Sequence, residues 1–432
     1  MTASDAERAL IGHLLRRSGF GASGPEIDAA AAAGYPATVE SLFADAPDPG
    51  IAASPPPEAG SGGAAETKQG ANSEQARDLV AWWLARMTAV RNPWPEKRTY
   101  FWHGHYATSI TKVKSAALML AQNQTERTLG GGTFPVLMRA MFTDPAMMIW
   151  LDAEGNTAKA PNENLARESM ELFSLGVGNY TENDVRQAAL ALTGWRLRRG
   201  SSQPFFDAAA HARGPETILG TTASFDVDSF TALLMAQSAN PEFIAARHWL
   251  RLGSIDPAPS ATNAALVSAY GSGGDLGAVH RTLFNDPSFT GATARYALVK
   301  QPVEYVVGVL RALRITPPTD GSGKDSQTLR TALSGLGQLP FDPPNVGGWP
   351  SGLLWLTTAA AQARIDFTRW AAEAGDISSV EDASSGSRVD AVGYLLGVDE
   401  FADRTRAALS DVVGDPAKLV QLALLSPEYL VN

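Results

Sequence analysis

Apolar residues recur at helical spacing along nearly the whole chain, and long alternating runs of the strand kind are missing. The pattern predicts an all-α protein: a large irregular multi-helix bundle with ten or more helices and at most a minor β-hairpin. Residues 162–195 show it best. At about 100° per residue, Leu165, Ala166, Ser169, Met170, Leu172 and Phe173 share one arc, and Glu163, Asn164, Arg167, Glu168, Glu171 and Ser174 the other. Gly176 and Gly178 are expected to stop this helix, as a glycine just past a helix end does. Thr181 and Asp184 form a capping box for the next, whose apolar face is Val185, Ala188, Ala189 and Leu192 and whose end is Gly194.

The same punctuation marks helices in both directions. Ser4 with Glu7 opens a first helix closed by Gly19, and Ser23 with Glu26 opens a second ending at Gly34. From Glu74 a stripe of Leu79, Trp83, Met87 and Val90 runs to a break at Asn92 and Pro93, and Pro95 opens the helix after it. Lys300, Pro302 and Glu304 begin an apolar helix through Leu313. A rigid non-helical corner follows at 340–355, PFDPPNVGGWPSGLLW. Residues 44–73 are a Pro, Gly, Ala and Ser mixture that buries too little apolar surface to order itself. They are expected to be a loop or linker inside one helical domain spanning 1–432.

Composition then narrows the chemistry. A net charge of −10 gives no electrostatic footprint for nucleic acid. No run of about 18 apolar residues exists to span a membrane. Arg16 and Arg17 resemble a twin-arginine export signal, but no apolar stretch follows them, so a cytoplasmic location is the default. There is no cysteine, so a metal would have to be held by His, Asp, Glu or carbonyl oxygen.

Five places carry candidate chemistry. Glu168 and Glu171, three apart on one helix face, can bring two carboxylates to one cation or proton. Arg167 lies four from both Glu163 and Glu171, so a solvated ion-pair face is the plainer alternative. His103 and His105 flank Gly104. On a continuous helix their rings point about 200° apart, so Gly104 must break the helix for both to hold one metal; packed histidines are the commoner arrangement. His13, Arg16 and Arg17 cluster at the end of the first helix, where they suit an anion or simply complement the helix dipole. Trp349, in the 340–355 corner, fits either a pocket wall or a core plug. Asp207 and His211, four apart, would face each other if helical.

The segments HLLRRSGFG, FWHGHYATS, NENLARESMELFSLGVGNYTENDV, ALTGW, PVEYVVGVLRAL, PPNVGGWPSG and SPEYLVN follow one another in the order of the bacterial domain of unknown function 1800 family. The chain resembles that family from His13 to Tyr429. Ala212 after His211 departs from the family, where an Asp often follows. The resemblance implies a mostly helical fold, members that are often exported, and a neighbouring partner of the domain of unknown function 1501 family. It implies no established activity. Two classes of function stand. One is an enzyme with Glu168, Glu171, Arg167 and His103 as catalytic residues and His13, Arg17, Arg98 and Trp349 as binding residues. In it a divalent metal on His103, His105, Glu163 and Glu168 would supply a hydrolytic water. The Glu-x-x-His signature of di-iron bundles is missing, which argues against oxygen activation. The other is a non-catalytic binding or scaffold partner of the neighbouring family.

Overall fold

The computed structural model describes residues 4–58 and 73–432. Among them are twenty-five α-helices and two small antiparallel hairpins. One hairpin pairs Trp195–Leu197 with Pro204–Phe206, the other Glu216–Ile218 with Thr221–Ala223. The all-α expectation holds, with one more hairpin than foreseen. Strands of three residues are too short to leave a period-two signature. Residues 59–72 of the 44–73 segment lie outside those described, and in the part before them Asp48 caps a short helix, Pro49–Ala53.

The caps read from sequence are made. Thr181 Oγ1 accepts from the Asp184 N–H while Asp184 Oδ2 accepts from the Thr181 N–H at 2.8 Å. Ser4 accepts from Glu7, and Ser23 with Glu26 completes a box. The end of the Glu163–Glu171 helix differs from expectation. It stops before the glycines because the backbone widens: Phe173 N–H donates to Glu168 O, and both Leu175 and Gly176 donate to Met170 O, at 2.9–3.0 Å. That turn carries Ser174 inward. Expected on the polar arc, it is fully buried and donates to Ser169 O.

Two large apolar clusters form the interior. The first gathers the Glu74–Ala89, Pro302–Ala312, Gly323–Leu336, Thr358–Ala374 and Pro416–Leu424 helices. The second gathers Phe134–Phe142, Glu163–Glu171, Glu182–Ala191, Val227–Met235, Ala239–His248 and Leu276–Asn285. The Trp94–His105 helix, called the histidine helix below, belongs to both: Tyr100 packs in the first cluster, and Trp94, Trp102 and Tyr106 in the second. Such a helix is wetted on almost no face, which is why it shows little amphipathic pattern. Pro302–Ala312, the central helix, is likewise buried along nearly its whole length. It lies so close to the chain after the first helix that a Cβ on Gly308 would stand 2.5 Å from Phe20 O.

Candidate functional site

Where the two clusters meet, a narrow cleft opens between the histidine helix, the start of the central helix and the 340–355 corner. Lys97, Tyr100, Phe101 and Gly104 line it from the histidine helix; Arg251 and Leu252, Gln301 and Glu304, and Gln338 and Trp349 complete the wall. It measures about 380 Å³ including its open mouth. Arg251 is delivered by a π-helical turn, Trp249–Gly253, that ends the Ala239–His248 helix. Such widened turns recur at functional sites because they re-aim side chains.

The wall is bound together by a continuous hydrogen-bonded set. Lys97 Nζ donates to Gly19 O at 2.9 Å and pairs with Glu304 Oε1. Glu304 Oε2 accepts from the Gln301 N–H at 2.8 Å, the capping contact of the central helix. Gln301 Oε1 accepts from Tyr100 Oη at 2.9 Å and from Gln338 Nε2 at 3.1 Å, and Gln338 Oε1 accepts from the Val303 N–H at 3.1 Å. Burial pulls the Lys97 pKa down, against the pull of Glu304, and holds the Tyr100 hydroxyl well above its usual range. Arg251 stands apart. Among the described residues its guanidinium has no hydrogen-bond acceptor and no ion pair, and burial pulls its pKa down, with Tyr100 and Glu304 opposing.

The residues expected from sequence are distributed differently. The histidine helix runs unbroken through Gly104 to His105, so the two rings face different surroundings. His103 Nε2 accepts from the Phe341 N–H at 2.9 Å, which leaves the proton of a neutral ring on Nδ1, 4.0 Å from Glu126 Oε2. Its ring packs against Trp83, Phe341 and Trp349. His105 Nε2 donates to Phe173 O at 3.0 Å, amid Phe101, Trp102 and Tyr106. Burial pushes the pKa of His103 down to about 3 and that of His105 well below its ordinary value.

Glu163, Arg167, Glu168 and Glu171 lie half-buried on one face of their helix. Arg167 grips Glu182 with both terminal nitrogens, at 2.6 and 2.8 Å, and reaches Glu163 at 3.2 Å. Glu171 takes the hydroxyl of Tyr180 rather than sharing a cation with Glu168. Burial, then the charge of Glu171, raises the Glu168 pKa. Among the described residues no three His, Asp or Glu side chains are grouped to hold a metal ion. The four expected ligands therefore do not fit one: His103 has spent Nε2 on the Phe341 N–H and His105 faces elsewhere.

Of the expected binding residues, Trp349 lines the cleft. Arg17 lies behind it, fully buried, donating to Ala294 O and Asn432 O at 2.6 and 3.0 Å, close enough for its charge to act on Lys97. His13 donates to Phe289 O at 3.0 Å, and Arg98 donates to Arg127 O at 3.2 Å, at the end of the Ala116–Leu129 helix. Both tie elements together. Asp207 and His211 sit after a strand, not on a helix; Asp207 pairs with Arg196 and His211 bonds to Thr193 O.

Sequence reasoning passed over Lys97, Tyr100, Arg251, Gln301 and Gln338, and took Glu304 only as a helix opener. Lys97 and Tyr100 adjoin FWHGH, and Gln301 and Glu304 open PVEYVVGVLRAL, so a signal for those four was present. Nothing local marks Arg251 or Gln338. Among the described residues, no helix is long and apolar enough to cross a membrane. The family model described as a protein of unknown function (DUF1800) matches residues 13–431, which include every residue of the cleft. No curated protein and no solved structure matches the chain.

Proposed function

This chain belongs to the DUF1800 family, and on that premise we propose that it recognises a small molecule in the cleft between the histidine helix, the central helix and Trp349. One observation carries the reading: a half-buried guanidinium, Arg251, opens into a polar, aromatic-walled cleft with no acceptor of its own among the described residues. A guanidinium partly stripped of water and without an ion pair among the described residues suits a group supplied from outside. Convergent polar side chains beside an aromatic wall are also what small-molecule pockets share. A metal-dependent hydrolase centred on Glu168 and His103 has less in its favour, because those side chains do not meet. A scaffold role with a partner of the domain of unknown function 1501 family draws only on the exposed Leu353 and Leu354 beyond Trp349.

The test is a thermal-shift screen of the full chain against a mixed library of charged and neutral metabolites, run in parallel on Trp349→Ala. Compounds that raise the melting temperature of the parent should lose that effect in the variant. If no compound protects the parent, or if protection is the same without Trp349, the cleft is not the ligand site.

A further inference from the structure

Resting on the reading of the cleft as a ligand site, we infer that its ligand is an oxyanion, a small molecule presenting a carboxylate or phosphate group to Arg251. The reason lies in which hydrogen-bonding capacity the wall leaves unspent. Each of its side-chain carbonyl and carboxylate oxygens already holds at least one bond from the protein. Gln301 Oε1 accepts twice, from Tyr100 and Gln338; Gln338 Oε1 accepts from the Val303 N–H; Glu304 pairs with Lys97 through one oxygen and accepts from the Gln301 N–H and Asn432 Nδ2 on the other. What remains is donors. Among the described residues Arg251 and Gln301 Nε2 donate to none, and Lys97 has two acceptors for three protons. A neutral polyol brings donors and acceptors in equal measure and would leave its own donors unmatched here. An oxyanion brings acceptors alone, and a guanidinium fork matches a carboxylate or phosphate edge with two parallel bonds.

Charge points the same way. Lys97 and Arg251 line the cleft against a single carboxylate, Glu304, and Lys97 holds that carboxylate directly. Arg17 lies close enough to act on Lys97, and Arg247, one turn before Arg251 and without an ion pair among the described residues, adds a further positive charge beside it. The cleft further sits at the start of the buried central helix, whose dipole adds positive potential at that end. A cationic ligand would meet repulsion from every side but one. The space is also narrow, which suits a headgroup held at Arg251 while the rest of the molecule lies against Phe101 and Trp349 of its wall.

The experiment titrates the full chain with inorganic phosphate and, separately, with citrate and oxalate. Ionic strength is held constant with sodium chloride, and binding is read by calorimetry and melting temperature. Arg251→Gln removes the charge, Arg251→Lys keeps it without the fork, and Arg314→Gln, 74% exposed on its side chain, serves as a control. Saturable binding of one oxyanion is expected, weakened about tenfold or more by Arg251→Gln, less by Arg251→Lys, and unchanged in the control. The carboxylate and phosphate arms then tell the two headgroups apart. Binding that survives Arg251→Gln, or protection that tracks total salt alone, overturns the inference. If only neutral compounds protect, and do so through Trp349, the anion class fails while the site stands; if nothing protects, both fall. Should Arg251→Gln fail to fold, Arg251→Lys and the parent's salt-corrected titrations still decide the matter.

Discussion

At Glu304 one carboxylate answers a buried lysine, caps a helix and faces a cleft, and its type alone foretold only the cap. Lys97 and Glu304 are both almost fully buried. Breaking such a pair on one side leaves a bare charge in a poor solvent, a loss of roughly 3–5 kcal/mol. Glu304→Gln should therefore lower the unfolding free energy in urea by about that much, and Lys97→Met in the same background should return part of it. A Glu304→Gln variant as stable as the parent would mean that the pair is solvated. Glu168 makes the opposite case. Its type and spacing promised chemistry, yet its neighbours are a second carboxylate and solvent, because Glu171 is committed to Tyr180 and Arg167 to Glu182.

Among the elements, the two glycines of the packed helices are predicted to respond with opposite signs. Gly308 on the central helix has no room for a methyl group, since its neighbour at 2.5 Å is backbone. Gly308→Ala should cost about 1–3 kcal/mol from overpacking, even though alanine favours helix. Gly104 on the histidine helix is helical and a Cβ there meets nothing within 4 Å, so Gly104→Ala should stabilise by about 0.5–1 kcal/mol through a less free unfolded chain. Melting temperatures of the two variants check both signs at once. If Gly104→Ala instead destabilises, the helix is broken at Gly104 after all, and the two histidines could again share a ligand.

For the whole molecule, five of the six histidines are buried and uncharged, and acid stability should show it. Burial holds the pKa of His13 near 2, of His103 near 3 and of His248 near 4, and of His105 and His280 well below 6.5. A depressed imidazole contributes stability that is complete above the unfolded value of 6.5 and is lost as pH falls toward the folded value. Three carboxyls act in the reverse sense: burial raises Asp144 to about 7, Glu126 well above its usual range, and Glu168 upward. These favour the folded state as protons are added. Around pH 5.5 the unfolded chain thus holds most of five protons on these imidazoles, where the folded chain holds two, on Asp144 and Glu126. That surplus makes stability fall with acidification. Chemical denaturation at pH 7 and pH 5 should show a large loss at the lower value; equal stability at both would mean that the histidines take up protons in place.

Much of the architecture was written locally. Thr181 with Asp184, Ser23 with Glu26 and Ser4 with Glu7 satisfy backbone groups within three residues of themselves, so the chain's order alone fixes where those helices begin. The buried central helix was visible for the same kind of reason, as an apolar run behind Pro302. The end of the Glu163–Glu171 helix was not, because Ser174 turns inward only once the second cluster is there to receive it. The cleft was still less legible. Lys97, Arg251, Glu304, Gln338 and Trp349 come from five separate stretches, and which of them meet depends on how two apolar clusters close around one helix. The histidines are the sharpest instance: spacing set His103 and His105 on opposite sides of a helix, but only packing gave each its hydrogen bond and took away its charge. Short-range hydrogen bonding and periodic burial determined the elements; desolvation and long-range contact, which no local pattern encodes, decided where charge is left unanswered.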